Sequence, residues 1–371
     1  MIFGLELTLF LYLLLASVYW VIKDRAPHLA LGLLVLANLA LLYVANPLLF
    51  VYLTGQVLWV WTLFQCLRCL KPRSIKAWPW LVFLGLIPFN LQVWMGPRLG
   101  AETWIGAWGQ AGWDNIFWTL GATFFVVKSF VILKESLKEQ HFDALPALAA
   151  LTFIPAFSAG PIHGGALWRP AQQAGSLTRE DTAQIFLKIG WGAAALLVLA
   201  PWLKAQAKAL APMPWGAVAD MYLSFAALYF DFSGYSLLAI ACAAMFGVRL
   251  PENFNRPYLA TNIQAFWQRW HMSLNAFIGT YLFKPMVRAT GSPRLGIFLA
   301  FVAAGLWHKA SLGYLAWGIG HGVALSLFMK PPRVWVMLCE RLPAVVVRLL
   351  SWAMTMTWVA ALSYGATRFP F

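Results

Sequence analysis

Charged residues are scarce in this chain. They make up 11% of its 371 residues, and 61% are hydrophobic, whereas about a quarter of the residues of a typical soluble domain are charged. So few polar side chains cannot cover a water-exposed surface of ordinary size, which excludes a large soluble domain. We therefore expect an all-α polytopic membrane protein. At about 20 apolar residues per crossing, the length allows on the order of ten spanning or re-entrant helices.

Acidic residues are the rarer charge, with 13 Asp and Glu against 27 Lys and Arg and a formal net charge of +14. In a soluble protein this excess suggests a nucleic-acid partner. Here the basic residues cluster in loops between apolar segments, as expected of loops that stay in the cytoplasm. We therefore expect no nucleic-acid binding.

Cysteine and metal-binding spacings are also sparse. Cys66 and Cys69 form a CxxC near the end of an apolar segment, with no second pair and no βαβ pattern, so we interpret them as packing thiols. The six histidines show no HxxxH or HxxE spacing, and we expect no metal site. No repeat or low-complexity tract appears, so residues 1–371 are predicted to form one integral domain.

Nine apolar segments are predicted to span the membrane. The first has neither a basic region before it nor a small-residue cleavage site after it, so we expect a retained helix rather than a signal peptide. The distribution of basic loops places both termini outside the cytoplasm. The predicted spans are residues 2–22, 29–45, 48–67, 78–96, 114–134, 183–203, 215–247, 312–329 and 344–365.

Residues 144–165 form an unusual apolar segment because they contain three prolines and the pair Gly160-Pro161. This composition predicts a broken or re-entrant helix. Irregular backbone at membrane depth has to be buried in protein or line a wet cavity. The segment is therefore either a kinked packing helix or a wall of a catalytic chamber.

An ionisable residue inside an apolar segment is expensive and calls for a partner. Asp231 lies in such a segment, and helical spacing puts Tyr235 on its face. We expect Asp231 to be held by Ser233, Tyr235 or a backbone group, in preference to a direct catalytic role.

Two histidines are the best candidates for chemistry. His271 lies in a stretch of mixed aromatic and polar residues, 249–286, which suits a helix at the membrane interface or one packed inside other helices. Trp267, His271 and Asn275 recur every four residues and are predicted to share one helical face.

The second candidate, His321, lies on a face with Tyr314 and Trp317. Small residues beside it, Gly318, Gly320 and Gly322, leave space for a ligand or a neighbouring backbone. An imidazole can take and return a proton near neutral pH, which suits a general base.

The alternatives for these histidines are a catalytic triad and a structural role. A Ser-His-Asp triad is disfavoured because no GxSxG motif appears. A hydrogen-bonded core role is the commoner one for a lone histidine in a membrane helix, and His308 fits it well.

Several motifs in one order resemble the membrane-bound O-acyltransferase (MBOAT) family, in its bacterial branch of alginate-type O-acetyltransferases and teichoic-acid D-alanyltransferases. They are FxAGPI at residues 157–162, then FDFSGYS, NFNRPYLATNIQAFWQRWHMSL and GLWHKASLGYLAWGIGHG. The resemblance covers about residues 150–330. It implies a ring of transmembrane helices around a central tunnel, with His321 as the catalytic intramembrane histidine and His271 as a second histidine on the cytoplasmic side.

The resemblance also implies substrates and partners. An acyl group carried on a cytoplasmic thioester, on coenzyme A or a carrier protein, would move to a hydroxyl on an extracytoplasmic polysaccharide, with no permanently bound cofactor. An extracytoplasmic SGNH-hydrolase-like protein would complete the transfer, and the site would lie in the plasma (inner) membrane. Substrate-binding roles would fall to Trp267, Arg269, Trp270, Asn275, Tyr314 and Trp317, with polar support from Asp231, Tyr235 and His308.

The acyl group and the class of function stay open. ATNI and RWHMSL resemble the D-alanyl branch, whereas PENFNRPYLA and WGIGHG resemble the acetyl branch, which we slightly favour. A proton-coupled transporter or flippase, using Asp231 and the histidines as a relay, is the alternative from another class. An inactive scaffold is the third.

Overall fold

The structure is a computed structural model that describes residues 5–45, 47–68, 116–157, 159–173, 175–308 and 311–368. The regular elements of these residues are helices, which confirms the predicted all-α class. The chain divides into two compact units, Met1–Gly190 with Ser236–Pro251, and Trp191–Tyr235 with Glu252–Phe371. Each unit is described by itself.

Five helices of the described residues are long and apolar enough to cross a membrane, or six if one bent pair counts as a span. They correspond to the predicted spans 2–22, 29–45, 183–203, 215–247 and 344–365, with 312–329 as part of the bent pair. The protein is therefore a multi-pass membrane protein. The predicted span 78–96, Cys69, and the loops 71–76 and 98–112 lie outside the described residues.

The first unit contains five α-helices and the broken segment. Spans predicted at 48–67 and 114–134 form its third and fourth helices, although neither is among the candidate membrane spans. The helices are α1 Leu5–Lys23, α2 Pro27–Ala45, α3 Pro47–Arg68, α4 Ile116–Glu139 and α5 Ala144–Thr152.

The broken segment is confirmed. Helix α5 ends at Thr152, a single 3-10 turn follows at Ile154–Ala156, and the chain stays irregular to residue 165. Buried side chains satisfy its backbone, as a membrane interior requires. The Asn38 Oδ1 atom accepts the Ile154 N–H at 3.1 Å, and the Lys128 ammonium donates to the Ala156 carbonyl at 3.1 Å.

Two long helical stretches cover the predicted spans 183–203 and 215–247. The first is α6 Arg179–Ala194, a π-helical turn at Ala195–Leu199, and α7 Ala200–Leu210; the second is α8 Gly216–Ala244. Pro201 lies in the first turn of α7 and has no N–H to donate. The ordinary hydrogen-bond ladder is therefore interrupted there, and the π-turn absorbs the change.

The second unit continues with short helices and then longer ones. They are α9 Ile263–Trp267, α10 Met272–Phe277, a π-turn Ile278–Phe283, α11 Lys284–Thr290, α12 Pro293–His308, α13 Leu312–Phe328, α14 Arg333–Arg341 and α15 Ala344–Arg368. Helices α13 and α14 are bent by 68° relative to each other. The sequence pattern did not predict α14.

A polar cluster joins α8 to the end of α15. Asp220 accepts hydrogen bonds from the Ser224 hydroxyl at 2.7 Å and the Tyr364 hydroxyl at 3.0 Å, and it pairs with the Arg368 guanidinium. The Asp220 side chain is only 15% exposed. This cluster fixes the last turn of α15 within the second unit.

Candidate active site at the two histidines

Helix α13 carries His321 and begins at a capped turn. The Ser311 side chain accepts the Tyr314 N–H at 3.4 Å, which satisfies one of the free donors at the helix start. Helix α12 then packs very closely on α13. A Cβ atom at Gly318 would lie 2.6 Å from the Phe301 carbonyl oxygen, so only glycine allows this approach.

The other glycines near His321 have the same purpose. A Cβ atom at Gly322 would lie 3.0 Å from the Phe298 carbonyl oxygen, and one at Gly320 would lie 2.7 Å from the Leu362 side chain of α15. Of the two roles predicted for these glycines, the structure therefore supports close approach of neighbouring helices. The space beside them is occupied by protein.

The His321 ring is almost completely buried, at 1% exposure. The Trp267 indole N–H donates to its Nδ1 atom at 3.2 Å. The Trp317 ring lies 4.7 Å from the imidazole between centroids, and Phe301 lies at 6.2 Å. Trp267 and Trp317 are thus the two predicted substrate-binding residues that the structure places against His321.

The Trp267 bond fixes the protonation of the ring. An indole N–H can only donate, so Nδ1 of His321 accepts and the imidazole proton lies on Nε2. To act as a base, the ring has to pass that proton on or turn so that Nδ1 meets the hydroxyl. A proton acceptor and a proton donor are therefore both present on one fixed ring.

The predicted common face of Trp267, His271 and Asn275 is wrong. The helix breaks at His271, which has the left-handed backbone angles φ 42° and ψ 57°. Such angles are rare for a residue other than glycine and persist only when the surroundings impose them. Helices α9 and α10 are consequently separate, and their residues do not follow one helical period.

Asn253 holds the chain on the far side of this break. Its carbonyl accepts the Met272 N–H at 2.9 Å, and its side-chain oxygen accepts the Ser273 hydroxyl at 2.6 Å and the Ser273 N–H at 3.4 Å. The Asn255 N–H donates to the Arg269 carbonyl at 2.9 Å. The motif at residues 251–260 is therefore what positions His271, a role that the helical pattern could not reveal.

The His271 side chain is buried at 6% exposure, with its ring edge-on to Phe232 at 4.7 Å. Its Nε2 atom has no hydrogen-bond partner among the described residues. Burial, and to a smaller extent the nearby His308, lowers the pKa of His271 to about 3. His271 is therefore a neutral imidazole with one nitrogen available to a substrate.

His308 lies between the two candidate histidines. Its ring is 5.4 Å from Trp317, which in turn contacts His321, and 5.7 Å from Tyr314. Electrostatic interaction with His271 connects it to the other side. Among the described residues its recorded contacts are aromatic, so its core role rests on packing where a hydrogen bond was expected.

The remaining predicted donor-side residues are not gathered at either ring. Trp270 stacks on Phe225 and Phe266, at 5.5 and 5.4 Å between centroids, and belongs to an aromatic cluster. Arg269 and Asn275 are half-buried. The contacts described for these two are made by their backbones.

The partner of Asp231 differs from the one predicted. Its carboxylate forms an ion pair with Lys204 at 3.3 Å, and the two side chains are 43% and 57% exposed. An exposed pair of this kind contributes about 0–1 kcal/mol. Asp231 is thus a half-exposed structural residue, and Tyr235 is half-buried one turn further along α8.

No group of three or more His, Cys, Asp and Glu side chains among the described residues could hold a metal ion. The residues that sequence reasoning missed at the site are Phe232, Asn253, Ser273 and Phe301. Two of them lie inside the quoted motifs, but only the fold shows that they contact or position the histidines.

Comparison with known proteins supports the resemblance. Residues 206–366 match the model of the membrane-bound O-acyltransferase family, MBOAT. This range includes both histidines, Trp267 and Trp317. The predicted family is thereby confirmed.

Individual relatives divide between two activities. The peptidoglycan O-acetyltransferase of Helicobacter pylori is 37% identical over 36% of this chain and 25% of its own length. The probable alginate O-acetylase AlgI of Pseudomonas aeruginosa is 44% identical over 28% of this chain and 20% of its own. The teichoic acid D-alanyltransferase of Streptococcus thermophilus is 26% identical over 74% and 69%. The chain thus spans about a quarter of the length of the two acetyltransferase relatives.

Proposed function

We propose, on the premise that this chain belongs to the membrane-bound O-acyltransferase family, that it moves an acyl group from a thioester to a hydroxyl. The observation that carries the proposal is the buried pair of Trp267 and His321, with an indole N–H on Nδ1 at 3.2 Å. A neutral, oriented imidazole in a water-poor aromatic pocket suits proton transfer to and from a hydroxyl.

The reaction would proceed by attack of the acceptor oxygen on the thioester carbonyl carbon. The new C–O bond forms as the C–S bond breaks, the hydroxyl proton passes to His321, and the imidazolium returns a proton to the departing thiolate. Atoms and charges balance without a metal or redox group. His271, with its available Nε2 atom, would position one of the two substrates by a hydrogen bond.

We further propose the surroundings of this reaction. The thioester, on coenzyme A or a carrier protein, would enter from the cytoplasm, and the acceptor would be an extracytoplasmic polysaccharide or an SGNH-hydrolase-like partner protein. Both termini would be extracytoplasmic and the membrane would be the plasma (inner) membrane. Acetyl is the favoured acyl group, with D-alanyl as the alternative. Polymers named in the relatives' descriptions, alginate, peptidoglycan and teichoic acid, are the first acceptors to try.

The proposal is tested with the purified full chain in proteoliposomes. Radiolabelled acetyl-coenzyme A or D-alanyl carrier protein is supplied on one side and an acceptor polymer on the other. We expect label in the polymer that mild base releases, as an ester requires. Proton-coupled movement of a solute with no ester formed would instead identify a transporter.

A further inference from the structure

The second unit contains a large cavity that the proposed reaction does not use. Its volume is about 560 Å³, within the range of roughly 300–1,000 Å³ that suits small-molecule ligands. Helices α13, α14 and α15 supply most of its walls, and the start of α9 supplies the rest. These walls are largely apolar and include Leu327, Phe328, Trp335, Met354 and Trp358. An apolar interior of this size favours a hydrocarbon chain over a polar ligand.

Helix α14, one wall of this cavity, is amphipathic. Trp335, Cys339 and Leu342 recur at i, i+4 and i+7 and are the half-buried residues of the segment. Arg333 and Arg341 lie on the opposite face and are exposed. The half-buried face therefore points toward the cavity, since Trp335 lines it.

The flanks of α14 expose more apolar surface than a water-facing helix tolerates. None of its nine residues is buried in the described structure. Val334, Met337 and Leu338 are 76%, 50% and 45% exposed. A short helix with exposed apolar flanks and a basic face, bent by 68° from the spanning helix before it, suits a position in the plane of the membrane interface.

The chain around α14 is strongly basic. Residues 330–348 contain four Lys and Arg and one acid, Glu340, and the four basic residues are exposed. Such clusters next to a spanning helix mark the cytoplasmic leaflet, where each contributes about 1 kcal/mol of attraction to anionic lipids. Lys330 directly precedes Pro331, which lines the cavity. The positive charge is therefore next to the apolar space.

We propose that this cavity binds one acyl chain of an anionic phospholipid, with the lipid phosphate held by Lys330, Arg333 and Arg341. The apolar walls match the chain, and the guanidinium and ammonium groups match the phosphate. The polar arm of a thioester donor matches these walls poorly. A bound lipid would also support α13, because Val323 and Ala324 line the cavity and follow His321 within one turn.

The test is native mass spectrometry of the delipidated full chain, titrated with dioleoyl phosphatidylglycerol or dioleoyl phosphatidylcholine. We expect one phosphatidylglycerol to bind tightly and phosphatidylcholine to bind at least tenfold more weakly. Ser351→Phe, which fills the cavity from α15, should weaken phosphatidylglycerol binding at least tenfold. Ser351→Ala is its matched control and should bind like the wild type. If Ser351→Phe does not fold, Leu327→Trp fills the cavity from α13 instead.

A charge variant tests the headgroup contacts separately. At about fivefold per charge, loss of three charges should weaken phosphatidylglycerol binding on the order of 100-fold. The variant combines Lys330→Gln, Arg333→Gln and Arg341→Gln. A control removes three exposed charges on the same predicted face: Arg25→Gln, Lys138→Gln and Arg179→Gln. The control should keep wild-type affinity.

Three results would overturn the proposal. Equal binding of phosphatidylcholine would remove the role of charge, and unchanged affinity in the cavity-filled variant would remove the role of the cavity. Displacement of phosphatidylglycerol from the wild type by acetyl-coenzyme A would assign the cavity to the acyl donor. None of these results depends on acyl transfer, so the proposed function is tested independently.

Discussion

Gly318→Ala places one methyl group where α12 and α13 are closest. The added Cβ atom would lie 2.6 Å from the Phe301 carbonyl oxygen and 3.0 Å from the Val302 Cα atom. Both are backbone atoms, so a side-chain rotation cannot relieve the overlap and α12 has to move. His321 lies on α13 one turn after this contact, so the imidazole is expected to move with the helix.

The magnitude follows from two opposing effects. Alanine favours a helix by about 1 kcal/mol over glycine, whereas overpacking a tight contact costs about 1–3 kcal/mol. Because the overlap is with backbone, we expect the upper end and a net loss of about 1–2 kcal/mol in the free energy of unfolding. A displacement of about 1 Å at a catalytic group can cost on the order of 100-fold in rate, so activity should fall more than tenfold.

The assay is thermal unfolding in detergent beside acyl transfer by the same preparation. Gly365→Ala in α15 is the matched control, because nothing lies within 4 Å of its Cβ position. The control should raise the melting temperature slightly, whereas Gly318→Ala should lower it. A Gly318→Ala protein that is as stable and as active as the control would refute the tight packing of α12 on α13.

Three further predictions concern the site and its orientation. Trp267→Phe keeps an aromatic ring but removes the N–H bound to His321; the loss of about 1 kcal/mol should slow transfer about fivefold, and an unchanged rate would deny that this bond positions the imidazole. Asn253→Ala leaves Ser273 without its buried acceptor and should lower the free energy of unfolding by about 2 kcal/mol, measured by chemical denaturation; no change would mean that other contacts hold the break at His271. In a cysteine-free chain in intact cells, Glu135→Cys should resist a membrane-impermeant thiol reagent and Glu102→Cys should react, whereas the reverse labelling would invert the topology and remove the cytoplasmic donor.

Much of the fold could be predicted because a membrane imposes it. Apolar segments of about 20 residues have to form helices when no water is present to bind the backbone. The prolines of residues 144–165 predicted the broken segment for the same reason. Short polar elements escaped this logic, and α14 was missed because its nine residues are too few for a span.

The site was predicted in its members more than in its geometry. His321 and Trp317 share a face on α13 because an unbroken helix keeps its period. The same argument failed at His271, where hydrogen bonds from Asn253 favour a left-handed residue. Asp231 was expected to be deeply placed, but no sequence period could reveal that Lys204 lies beside it. Contacts between distant segments decide these cases.

The most direct test of the account is acyl transfer by His321→Ala, measured with the donor and acceptor that the wild type uses. Loss of a general base costs about 10²–10⁴-fold in rate, so we expect activity near background while the protein stays folded and inserted in the membrane. His308→Ala is the matched control, since it removes an imidazole that contacts Tyr314 and Trp317 and should leave transfer measurable. Wild-type activity in purified His321→Ala would contradict the central claim that this imidazole performs the proton transfer.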